Sequence, residues 1–203
     1  MTDSHNDLHY HQISVSEMDN NVYLLCSGDE GLLIDAADNA DAILALAERA
    51  GVRITKVLTT HRHWDHVRAL PKIIEKTGAT HFAPYLDAPA MPVAVDVELH
   101  DKDTISFGGH NLTVRILRGH TPGGASLHAH IGEQDHLFVG DSLFPGGVGK
   151  TSTEGEFKRL FNDVKDHLFD VYPDETIVHP GHGDDTTLGA ERPNLDTWWD
   201  RKW

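Results

Sequence analysis

One cysteine in 203 residues, Cys26, excludes an intrachain disulfide and the stapled scaffolds of small secreted domains. Long apolar runs are missing too. No stretch approaches the ~18 consecutive apolar residues of a membrane-spanning helix, and the first 20 residues are polar, without the apolar core of a secretory signal. Basic charge is scarce: 17 Lys and Arg stand against 32 Asp and Glu, a formal net charge of −15. A surface this acidic has no net positive field to attract the phosphates of nucleic acid or an anionic membrane. These absences leave a globular chain expected in the cytoplasm, with neither nucleic acid nor membrane as partner. Its length suits one domain that buries roughly 70% of the surface exposed on unfolding. Oligomeric state is not legible.

Histidine is the residue in excess, with 16 copies. It is both the commonest metal ligand and the side chain that titrates near neutrality, so its distribution matters. The N-terminal third reads as short strands, Gln12 to Glu17, Asn21 to Ser27 and Gly31 to Asp35, the last two joined by the turn Gly28-Asp29-Glu30-Gly31. A helix start at Asp38-Asn39-Ala40-Asp41 is followed by Ile43, Leu44, Leu46 and Ala47 and stops at Gly51. Ile54 to Thr59 is a β-branched strand, and a second helix should run through Pro71 to about Lys76. Further strands are predicted at Thr80 to Ala83, Asp103 to Phe107, Asn111 to Leu117, Ala125 to Ile131, His136 to Val139 and Thr176 to Val178, with residues 84–96 as loop. Glu154 to Val171 has helical spacing, and a tail helix around Ala190 to Trp203 is weakened by Pro193. The strands cluster too closely for strict βαβ alternation, so two packed sheets with helices outside fit best.

The sharpest local signal is His61-Arg62-His63-Trp64-Asp65-His66, between a predicted strand and a predicted helix. Residues i and i+2 of an extended chain point the same way, so His61 and His63 can hold one ion. As the chain turns into the helix, Asp65 and His66 can serve a second position. Nitrogen and oxygen donors of this kind suit zinc, with iron and manganese as alternatives. Three more donors stand at strand ends: His120 in Gly119-His120-Thr121-Pro122-Gly123-Gly124, Asp141 in Gly140-Asp141-Ser142, and His182 in His179-Pro180-Gly181-His182-Gly183. Glycine allows close backbone approach to a ligand, and loops on a rigid sheet are the usual place for a site.

In this order, His-x-His-x-Asp-His, then His, Asp and His, the chain resembles the metallo-β-lactamase superfamily. The resemblance implies a four-layer αββα sandwich, α/β in class, with the site at one edge between two sheets. It implies one divalent ion on His61, His63 and His120, a second on Asp65, His66 and His182, and Asp141 bridging them. Gly140-Asp141-Ser142-Leu143-Phe144 with Gly147-Val148-Gly149-Lys150-Thr151, and the ending Pro180-Gly181-His182-Gly183, are similar to the glyoxalase II group of thioester hydrolases. That likeness implies attack on a thioester by a hydroxide bridging two metal ions, Asp65 as the carboxylate that fixes it, and Lys150 as a contact to the thiol carrier. Ser152 replaces an aromatic usual in the group, and the chain stops soon after His182. The expectation is therefore one domain over 1–203 with no separate C-terminal helical glutathione-binding domain.

Persulfide dioxygenases resemble the chain as well, and imply a different chemistry, with one non-haem iron on His61, His120 and Asp141. The complete second donor set favours the hydrolase. Several other residues are expected to be structural. His5, His9 and His11 should lie in a solvated tail, His128 and His130 on a polar strand face, Cys26 in the core, and Trp198, Trp199 and Trp203 in C-terminal packing. Arg62 is expected to make a structural ion pair. His179 is a candidate to donate its ring N–H to a carboxylate behind the metals.

Overall fold

A strand whose alternate residues face two different apolar layers is buried throughout, and the second strand shows it. In the computed structural model, which describes residues 7–202, β2 (Asn20–Ser27) is buried at every position. Val22, Leu24 and Cys26 pack with Ile43, Leu46 and Ala47 of α1 (Ala40–Ala50) and Leu70 and Ile73 of α2 (Leu70–Thr77). Tyr23 and Leu25 point the other way, into a layer with Phe107, Leu112, Val114 and Phe138 from a second sheet. Beyond that sheet, Leu137 and Val139 meet Phe157, Leu160 and Phe161 of α3 (Glu154–Val164) and Trp198 of α5 (Leu195–Arg201). Three apolar layers therefore separate helices, sheet, sheet and helices, which is the αββα sandwich. Each fully buried Leu or Phe contributes about 1.5–3 kcal/mol.

The first sheet has the order β1 (His9–Val15), β2, β3 (Glu30–Ile34), β4 (Arg53–Leu58), β5 (Thr80–Pro84), β6 (Val97–Leu99). Its first three strands are antiparallel, and β3 to β6 run parallel. The second has the order β14 (Thr186–Thr187), β13 (Ile177–Pro180), β10 (Gln134–Gly140), β9 (Gly124–Ile131), β8 (His110–Leu117), β7 (Thr104–Phe107). A hairpin of β11 (Leu143–Phe144) and β12 (Gly147–Val148) projects after β10. Helix ends follow local chemistry. Asn39 caps α1 by accepting from the Ala42 N–H, Gly51 ends it in the left-handed region, and Thr153 and Glu156 form a reciprocal capping box on α3.

The structure corrects several boundaries. β1 begins at His9, so His9 and His11 belong to an edge strand rather than a solvated tail; His5 and Trp203 lie outside the described residues. β6, β11, β12 and β14 have two or three residues each, too few to show periodicity. The helix after Glu154 stays α-helical to Val164 and then widens into a π turn, Lys165–Phe169. Pro193 splits the tail into α4 (Leu188–Glu191), a 3₁₀ turn and α5. His128 and His130 share one carboxylate oxygen of Asp135, each at 2.9 Å. Among the described residues no helix is long and apolar enough to cross a membrane.

A buried relay joins the middle of the second sheet to the loop after β13. Asp185 lies 2.9 Å from Nδ1 of His179, whose Nε2 lies 2.9 Å from Nδ1 of His136. His179 thus serves Asp185, not a carboxylate of the His61–His66 region. The relay is satisfied with both rings neutral, each donating from Nδ1. Burial, with His179 next to it, pushes the His136 imidazole down to about 4. The unfolded ring titrates near 6.5, so the unfolded chain binds the extra proton first as pH falls. This contribution to stability is complete above pH ~6.5 and is lost progressively toward pH ~4, by up to about 3 kcal/mol. Urea unfolding at stepped pH should show a steeper loss over that interval in the wild type than in His136→Gln; equal slopes would remove His136 as the cause.

Candidate metal centre

Parallel strands end together, and side chains just past their ends converge. His61 and His63 follow β4, Asp65 and His66 sit on the 3₁₀ turn Trp64–His66, His120 lies between β8 and β9, Asp141 directly follows β10, and His182 follows β13. All seven meet at one edge of the sandwich. Donor atoms of His61, His63 and His120 lie within 4.8 Å of one another, as do those of Asp65, His66 and His182. Asp141 lies between the groups. One oxygen is 3.4 Å from His66 Nε2, and the other is 3.5 Å from His120 Nε2 and 3.4 Å from His182 Nε2.

The outer nitrogens of four rings are tied down, which decides their tautomers. Nδ1 of His120 donates to the Lys150 carbonyl at 2.7 Å, and Nδ1 of His182 to the Met18 carbonyl at 2.8 Å. Nδ1 of His66 donates to Asp35 at 2.9 Å. The Thr60 hydroxyl spends its proton on Asp35 and so accepts from Nδ1 of His61 at 3.0 Å. In the neutral rings every Nε2 is then a bare acceptor facing inward. His66 Nε2 and His182 Nε2 stand 3.1 Å apart, and His61 Nε2 stands 3.1 Å from His63 Nδ1. Nε2 of His120 and one oxygen of Asp141 are buried without a hydrogen-bond partner. Lone pairs directed at lone pairs beside an unpartnered carboxylate oxygen are costly unless a cation lies among them. The donor set thus fits divalent ions.

The electrostatics favour positive charge at the same place. Burial opposes ionisation of Asp141, but His182 and His66 outweigh it and hold the carboxyl well below its usual range. Burial pushes the His66 ring down, yet Asp141 and Asp35 lift it to about 10. His61 is driven well below its ordinary value, mainly by burial and then by His66.

Sequence reasoning missed the residues that aim these donors. Asp35, just past β3 and 2% exposed, accepts from the Thr60 N–H and hydroxyl, each at 2.7 Å, and from His66. Asn20 donates to Asp65 at 3.0 Å. Asp87 accepts from the N–H groups of Arg62 and Gly123, each at 3.0 Å, and so ties the loop bearing His61 and His63 to the one following His120. The one available signal was the acid ending the apolar run Gly31 to Asp35. Arg62, expected in an ion pair, has none among the described residues. Lys150 meets the cluster through its carbonyl, and its side chain is exposed.

Glycine is required where the donors crowd. A Cβ on Gly181 would overlap the carboxylate of Asp141 and stand 2.7 Å from Cε1 of His66. On Gly149 it would overlap the backbone carbonyl of Asp141.

A sequence profile described as the metallo-beta-lactamase superfamily matches residues 15–182, the span that holds every one of these donors. The chain belongs to this superfamily. Among superfamily relatives, the hydroxyacylglutathione hydrolase of Maricaulis maris is 35% identical over 166 residues, covering 81% of this chain. The chain spans only 62% of that relative's length. Of solved superfamily folds, TTHA1623 in a di-iron-bound form is 31% identical with a TM-score of 0.76, over 90% of this chain and 96% of that one. ETHE1 from Myxococcus xanthus is 26% identical with a TM-score of 0.78, over 95% and 85%. Superfamily membership makes the chain a metal-binding enzyme of this fold.

Proposed function

We propose that the protein is a dinuclear metallohydrolase that cleaves thioesters of a low-molecular-weight thiol. The supporting observation is the inward convergence of five imidazoles and the Asp65 carboxylate in two groups of three donors, with Asp141 between them. His61, His63 and His120 would hold one ion, Asp65, His66 and His182 the other, and Asp141 both. Zinc suits the nitrogen and oxygen donors, and the di-iron form of TTHA1623 makes iron the competitor. Two such ions, when bound, acidify a water and polarise a carbonyl. The likeness to a hydroxyacylglutathione hydrolase supports the thioester as substrate.

The chain's own part is to orient and to hold a proton. Burial works against ionisation of Asp65, but the Asn20 amide and then His66 overcome it, leaving the carboxyl below its usual range. Asp65 is therefore a carboxylate at neutral pH, able to orient the attacking water and receive its proton. The leaving thiol needs no acid, since its pKa of about 8.5 makes the thiolate a good leaving group. Lys150 is exposed, and its ammonium would pair with an anionic group of the carrier.

Metal analysis of protein purified without added metal should give two divalent ions per chain. His61→Ala should empty one site, and Asp65→Ala should cut turnover by about 10²-fold or more. An S-lactoyl thioester should release free thiol without oxygen uptake. One iron per chain, unchanged by His182→Ala, together with oxygen uptake on a glutathione persulfide and no thiol release, would replace the reading by a dioxygenase. Lys150→Ala should raise KM by the equivalent of about 1–3 kcal/mol while kcat changes little, because a carrier contact binds substrate and transition state alike. Steady-state kinetics on S-lactoylglutathione checks this, and an unaltered KM would remove Lys150 from the carrier path.

A further inference from the structure

Beside the donor cluster, on the side of His63 and His120, opens a cavity of about 390 Å³. Arg62, Arg118 and Arg159 share its wall, and Glu156 is its acidic lining residue. Three guanidiniums around one opening run against the composition of a chain whose net charge is −15. Two of the charged groups are already committed. Arg118 grips both oxygens of Asp163 through Nε and Nη2, at 2.8 and 2.9 Å. Glu156 accepts from the N–H groups of Ser152 and Thr153, at 3.0 and 2.9 Å. Arg62 and Arg159 are different. Both are exposed, and among the described residues neither guanidinium has a carboxylate, carbonyl or aromatic partner. Arg62 stands between two donors, His61 and His63, so a group bound to it lies next to the reacting centre.

Resting on the thioester reading above, we infer that this cavity seats an anionic group of the thiol carrier, a carboxylate or a phosphate, between Arg62 and Arg159. A planar guanidinium fork matches both anions. Arg118, locked by Asp163, adds wall rather than grip. The position also suits the geometry of the reaction: the carrier leaves from the carbonyl at the donor cluster, so its charged tail must lie within a short reach of His63 and His120. An uncharged carrier gains nothing from the cavity. Anionic carriers gain an interaction that weakens as salt screens the exposed charges.

The test compares kcat/KM for three lactoyl thioesters: of glutathione, which carries carboxylates, of coenzyme A, which carries phosphates, and of N-acetylcysteamine, which is uncharged. Wild type should prefer a charged carrier, and the preference should shrink at high ionic strength. In the double variant Arg62→Ala, Arg159→Ala, the charged-to-uncharged ratio should fall about tenfold or more. Arg159→Lys, which keeps the charge, should hold most of the ratio. A larger loss with glutathione assigns a carboxylate; a larger loss with coenzyme A assigns a phosphate. Thiol release from all three with a ratio unmoved by the double variant overturns the anion pocket alone. No thiol release from any of them in the wild type overturns the hydrolase reading, and the inference with it. Thermal unfolding of the double variant near the wild-type midpoint excludes misfolding, as expected for two exposed side chains.

Discussion

Gly181→Ala should deprive the protein of metal and turnover together while leaving the sandwich folded. The added methyl lies 3.3 Å from the Gly140 carbonyl carbon at the end of β10, but its two closest contacts are side chains. It meets the Asp141 carboxylate and the His66 ring, one a donor placed between the two groups and the other a member of the second. Neither can step aside freely. His66 is pinned by Asp35 from behind, and Gly181 itself is fixed from both sides, its N–H donating to the Gly140 carbonyl and its carbonyl accepting from Asn21, each at 2.8 Å. Disturbing the groups that orient a metal ligand typically costs about 10–100-fold in affinity or activity, and a misplacement of about 1 Å can cost ~10²-fold; here two donors are displaced, so a loss of about 10²-fold or more in kcat is expected. Metal content per chain and turnover are to be measured on the same preparation, with thermal unfolding as the control for fold. Full metal occupancy and wild-type turnover would mean that the donors relax independently of this loop.

Asp35→Ala should be the most destabilising single change at the site. Three donors, the Thr60 N–H, the Thr60 hydroxyl and His66 Nδ1–H, end on a carboxylate that is 2% exposed. Removing the acceptor leaves all three buried and unpaired, a loss of about 3–5 kcal/mol. For a chain of this size that lowers the midpoint by roughly 6–20 °C. Asp35→Asn separates two roles. Asparagine tolerates the left-handed backbone of this residue, φ 58°, and its oxygen can still accept from the Thr60 N–H. Its NH₂ can accept from neither the Thr60 hydroxyl nor His66. The midpoint should recover in part, while His66 loses its orientation and metal retention stays poor. Equal recovery of both would show that the negative charge of Asp35 is dispensable.

The ligand-bearing turns were legible because their chemistry is local: His61 and His63 share an extended face, and His120, Asp141 and His182 each sit in a loop next to glycine at the end of an apolar strand. The two packed sheets were legible because the strands cluster too closely for strict βαβ alternation, and the four layers followed from the resemblance. What escaped is set by contacts distant in sequence. Asp35 meets His66, Asn20 meets Asp65, and Asp87 meets Gly123, each pair drawn from different loops. A lone Asp or Asn at a strand end reads as a turn residue until its partner is known. His9 and His11 were obscured by the polar residues an edge strand carries on its open side. Arg62, between two donors, was expected in an ion pair, but His61 and His63 belong to the cluster and, among the described residues, only its backbone N–H meets a carboxylate, that of Asp87.

Each group of donors takes two members from the turn after β4 and one from a loop of the opposite sheet, His120 in one case and His182 in the other. An ion in either position is therefore a rivet between the two halves of the sandwich, in a chain whose single cysteine provides no covalent one. Its binding energy would be shared between catalysis and cohesion, adding RT ln(1 + [M]/Kd) to the stability of the folded chain. Chelation should then accelerate amide hydrogen exchange where the sheets abut at this edge, around Thr60 and Gly140, well before it is felt at the far end near Phe107 and Ser27.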